Sequence, residues 1–101
     1  MKIKIMGSEY QYEEVEQVDK WSRTLGQIDY INQRILVEKG IPDDLKREVL
    51  LHEILHGIFD KLGFSDINSD EQKVNSIGST LYAVLKENNL FFGEKWEKKD
   101  V

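Results

Sequence analysis

At 101 residues, 40% of them hydrophobic and 33% charged, the chain has room for one core and excludes a wholly disordered protein. The absence of cysteine excludes disulfides, thiolate metal sites and cysteine nucleophiles. A formal net charge of −5 argues against nucleic acid or an anionic membrane as the main partner. No apolar run reaches the roughly 18–20 residues of a membrane span, and the opening Met1-Lys2-Ile3-Lys4-Ile5 lacks a signal-peptide core, so a cytoplasmic protein is expected.

Residues 1–39 read as β-rich. Lys2-Ile3-Lys4-Ile5 alternates, and Tyr10, Tyr12 and Val15 resume after Gly7-Ser8. Glu13 to Lys20 reads either as the end of that strand or as a short helix. Gly26 to Glu38 predicts two strands joined near Asn32-Gln33. Pro42-Asp43-Asp44 is a helix entry, with proline at the first turn and two acids complementing the dipole, and the helix is expected over 42–62 with Gly63 behind it. Leu45, Val49, Leu51, Leu55, Ile58, Phe59 and Leu62 cover more than half its circumference, which predicts a central helix. A loop over 64–68 and the capping-box form Ser69-Asp70-Glu71-Gln72 lead into a second helix over 69–88, with Val74, Ile77, Leu81 and Leu85 as its buried stripe. A charged tail over 91–101 carries Phe92 and Trp96. The expected fold is therefore a single α+β domain: a small antiparallel or mixed sheet packed on two long helices.

Both histidines of the chain fall in His52-Glu53-Ile54-Leu55-His56, inside the first long helix. Positions i and i+4 are ~40° apart around a helix and ~6 Å apart along it, so two imidazoles can converge on one ion. Glu53, rotated ~100°, can face a metal-bound water without ligating the metal. Two histidines fall four apart in roughly 2% of random placements, and requiring the glutamate brings the chance to about 0.2%, low enough to treat HExxH as a signal. That arrangement predicts a zinc centre in which Glu53 is the general base for peptide hydrolysis.

A catalytic zinc needs a third protein ligand, and with no further histidine and no cysteine it must be a carboxylate. Phe59 and Leu62 stand where a metzincin would have its glycine and third histidine. The first turn of the second helix offers Asp70 and Glu71. Glu71 is preferred because it reaches further and continues into the less bulky strip Asn75, Gly78 and Tyr82; Asp70 is the alternative.

Leu50-Leu51-His52-Glu53-Ile54-Leu55-His56-Gly57-Ile58, with a hairpin before it and an acid on the next helix, resembles the small zincin-like metallopeptidases of bacteria and their phages, most broadly the ImmA/IrrE type. The resemblance spans about residues 26–85. It implies that His52, His56 and Glu71 bind zinc and that Glu53 is the general base. Glu71 to Asn75 is similar to the Glu-x-x-Ala-Asn pattern, with Val74 in place of alanine. It also implies a protein or peptide substrate held along a sheet edge, for which Gly26–Tyr30 and Arg34–Glu38 are the candidates. A donor to the oxyanion would have to be Tyr82 or Tyr30. The competing expectation is a zincin fold that binds metal, cleaves little and acts by binding a protein partner.

Overall fold

A computed structural model of the chain describes residues 1–90. The expectations for the tail, including Phe92 and Trp96, lie outside the described residues. The elements are β1 (Lys2–Ile5), β2 (Ser8–Val15), β3 (Gly26–Asp29), β4 (Arg34–Glu38), α1 (Asp43–Leu62), α2 (Ser65–Asn68) and α3 (Glu71–Glu87). The architecture is α+β, a four-stranded mixed sheet in the order β1-β2-β4-β3, followed by helices. Among the described residues no helix is long and apolar enough to cross a membrane.

Local chemistry explains most of the elements. Met6 and Gly7 both have positive φ (47° and 91°), which closes the β1–β2 hairpin on the two residues whose twist suits it. The strand β2 ends at Val15 without a helix behind it, because the next residues fold around Asp19, whose carboxylate accepts from the Trp21 amide at 2.9 Å. Asp29 closes the β3–β4 connection in the same way, accepting from the amides of Ile31 and Asn32 at 3.1 and 3.0 Å. The strand β4 runs parallel to β2 and antiparallel to β3, so it is interior and β3 is a sheet edge.

Helix α1 starts after Pro42, as the entry predicts, and stops at Gly63, whose φ of 75° is the left-handed conformation glycine tolerates. One face lies on the sheet: Leu50 joins Ile5, Tyr10, Ile35 and Val37 in the core, with Val49, Ile54 and Ile58 beside them. Each fully buried aliphatic side chain there contributes roughly 1.5–3 kcal/mol. Gly57 permits that contact, since a Cβ on it would lie 2.6 Å from Ile5 Cδ1. The opposite face meets α3, where Leu55 packs towards Gly78.

The second half departs from expectation in three ways. The expected loop before the second helix contains a turn of helix, α2. The cap of α3 is Asp70 rather than Ser69, its carboxylate accepting from the Lys73 amide at 3.2 Å, so the helix begins at Glu71. The buried positions of α3 are Val74, Gly78 and Tyr82, whereas Ile77 and Leu81 are exposed. Glycine lets the two helices approach closely, and that draws the Gly78 face inward.

Candidate metal centre and buried carboxyl

Nearly central on α1, His52 and His56 stand one turn apart on the side facing α3, their ring centroids 4.8 Å apart. Glu71, the first residue of α3, reaches between them. Its Oε1 lies 3.2 Å from His52 Nε2 and 2.9 Å from His56 Nε2. One donor atom from each of the three residues lies within 4.8 Å of the others. Tetrahedral ligands ~2.05 Å from a zinc ion are separated by about 3.3 Å, close to both His–Glu distances. Two imidazoles and one carboxylate form a donor set that fits a divalent transition-metal ion. Burial pushes the pKa of His52 below the ordinary imidazole value, with His56 adding to the effect and Glu71 opposing it. A neutral imidazole is the form that binds metal.

Glu53 faces a different environment. It is only 6% exposed, on the sheet side of α1, and accepts no protein hydrogen bond among the described residues. Burial raises its pKa to about 7, with His56 drawing it down and Glu71 pushing it up. Its place depends on Gly26, at the start of β3, where an added Cβ would lie 2.4 Å from Val49 Cγ1 and 3.0 Å from Glu53 Oε2. Only a residue without a side chain lets the edge strand pass so close to that carboxylate. Two clefts flank the cluster, one on the His52 side lined by Val49, Asn75 and Gly78, the other on the His56 side lined by Ile28, Tyr30 and Asn68. Both include Gly26, Glu53 and Glu71, so they meet at the carboxylates beside β3.

The two candidate third ligands separate cleanly. Glu71 is brought to both histidines, while the Asp70 carboxylate caps α3. Tyr82 is not brought to the site. Eleven residues separate it from Glu71, a rise of ~16 Å along α3, and its hydroxyl donates to Asp44 at the start of α1. Burial, and then that carboxylate, push its pKa up to about 12. Tyr30 does lie beside the cluster, but its hydroxyl donates to the His56 carbonyl oxygen at 3.3 Å.

Three features escaped sequence reasoning: the Gly26 contact, the role of Asn68, and the short helix α2 that carries it. Asn68 Oδ1 lies 2.6 Å from His56 Nδ1. A glycine at a strand start and an asparagine before a helix are both common, and neither advertises what it touches. Comparison with protein-family models, with curated proteins and with solved structures returns no match.

Proposed function

We propose that the protein is a zinc-dependent metallopeptidase of the zincin-like kind, in which His52, His56 and Glu71 hold the ion and Glu53 is the general base. The observation that carries this reading is the pairing of two features. Three metal-binding donor atoms converge on one point, and the neighbouring motif carboxyl is buried without a hydrogen-bond partner among the described residues. Both clefts reach that carboxyl, and a group whose pKa is raised by burial, in a cleft beside metal-binding donors, marks a candidate functional site.

A bound zinc ion supplies Lewis-acid polarisation of a carbonyl and makes a coordinated water acidic near neutral pH. The protein's own groups supply the rest. With a pKa near 7, Glu53 can accept a proton from water and return it to a leaving amine. The edge strand β3 offers a backbone on which an extended peptide can align beside Glu53 and Glu71. Its partner is then a protein or peptide substrate, encountered in the cytoplasm.

A second reading has its own support. The hydroxyls of Tyr82 and Tyr30 are both engaged by protein groups, which leaves the oxyanion without a tyrosine donor from these two residues. A metal-holding module that binds a protein partner without cleaving it would need no such donor. Glu53→Gln decides between them. The metallopeptidase reading expects zinc content to persist while cleavage of a broad peptide library falls by at least about 100-fold. Equal inertness of wild type and variant would favour the binding module.

A further inference from the structure

We propose that Asn68, itself held by Tyr30, is a positioning residue that locks His56 in the tautomer able to bind a metal through Nε2. This rests on the metal-site reading above and adds to it a reason for α2 and for the turn after β3. Three hydrogen bonds form a closed ring. Asn68 Oδ1 lies 2.6 Å from His56 Nδ1, Asn68 Nδ2 donates to the Tyr30 hydroxyl oxygen at 3.2 Å, and that hydroxyl donates to the His56 carbonyl oxygen at 3.3 Å.

The donor assignments follow from one another. A phenol has one proton, and the backbone carbonyl can only accept it. The tyrosine oxygen must therefore receive its bond from Asn68, which places the amide nitrogen on the Tyr30 side and the amide oxygen on the His56 side. That oxygen cannot donate, so Nδ1 of His56 carries the proton. In the neutral imidazole the lone pair is then on Nε2, the nitrogen that faces Glu71 Oε1 at 2.9 Å. A hydrogen bond on the far nitrogen of a ligating histidine fixes the ring orientation and raises its basicity.

The two histidines are unequal in this respect. The hydrogen bonding and pairing of His52 among the described residues go to Glu71 alone, through Nε2. His56 is held at Nδ1 by Asn68 of α2, which leaves its Nε2 facing Glu71 of α3. The half-buried Asn68 ends α2, so the short helix between α1 and α3 serves to present its amide.

The test titrates zinc alone into the full chain against a chromophoric chelator, for wild type, Asn68→Ala, Asn68→Asp and Tyr30→Phe. Losing the amide should weaken zinc affinity about 10–100-fold, the usual effect of removing such a partner. Asn68→Asp keeps an acceptor for the Nδ1 proton and should recover most of that affinity. Tyr30→Phe frees the amide to flip and should cost less than Asn68→Ala. Long-range 1H–15N spectra of the zinc-loaded wild type should show His56 protonated at Nδ1 and not at Nε2. Wild-type affinity in Asn68→Ala, failure of Asn68→Asp to recover it, or a proton on His56 Nε2 would overturn the proposal while leaving the metal site standing. A wild-type chain that takes up no zinc would overturn both.

Discussion

At one end of the α1–α3 contact Asp44 receives hydrogen bonds from Lys86 Nζ, at 2.5 Å, and from the Tyr82 hydroxyl, with Arg47 Nη1 at 3.9 Å; at the other, Glu71 stands between the two imidazoles. Both clusters tie the same two helices through one carboxylate. The first joins opposite charges, because cationic side chains and a hydroxyl meet the acceptor. The second gathers acceptors: two imidazoles with lone pairs to give and a carboxylate, needing a proton or a cation to hold them together. Beside it sits Glu53, a largely buried carboxyl that lines both clefts. Polar groups that satisfy one another are fastenings, and polar groups that share an unmet need mark a site.

That contrast can be broken most forcefully at the metal end. Zinc at 100 times its Kd should stabilise wild type by ~2.7 kcal/mol, a rise in melting temperature of roughly 10–20 °C for a domain of this size. His52→Ala and Glu71→Ala should each abolish the rise. Next in size is the Gly26→Ala substitution. Its Cβ would collide with Val49 and press on Glu53, costing about 1–3 kcal/mol in urea denaturation and lowering peptide cleavage further than the stability loss explains.

The Asp44 end should respond oppositely. Tyr82→Phe removes a hydrogen bond to a charged group, for about 1.5–3 kcal/mol at most, and zinc affinity by chelator competition should not move. The Asp44 pKa lies below the ordinary carboxylate value, chiefly through Lys86 and then Tyr82. Its stabilisation is thus complete above pH ~3.9 and is lost as pH falls through the lower folded value. An Asp44→Asn variant should show a flatter loss of stability on that acid limb. The smallest effect is Asp70→Ala, which removes the cap of α3 for ~1 kcal/mol and should keep metal binding intact. Loss of zinc there would return the third-ligand role to Asp70.

The site was legible where its chemistry is carried by residue type and spacing. His52, Glu53 and His56 stand out by their helical spacing, and excluding cysteine and a third histidine leaves a carboxylate, with Glu71 preferred and Asp70 the alternative. The α+β order and both long helices followed from alternation, Pro42 and Gly63. What was hidden depends on contacts between distant segments. Hydrophobicity weighted Ile77 and Leu81 as the buried face of α3, yet Gly78 wins because its missing side chain permits close approach to Leu55. Tyr82 shares a helical strip with Glu71, but the strip is long enough to carry its hydroxyl to the other cluster. Ser69 has the form of a cap, and only the fold shows that the neighbouring Asp70 takes that place.

The most direct measurement is the zinc content of the purified full chain, by elemental analysis after equilibration with zinc and removal of free metal. The account predicts one ion per chain in wild type and in Glu53→Gln, and none in His52→Ala or Glu71→Ala. Wild-type protein without bound zinc, or His52→Ala retaining a full equivalent, would contradict it.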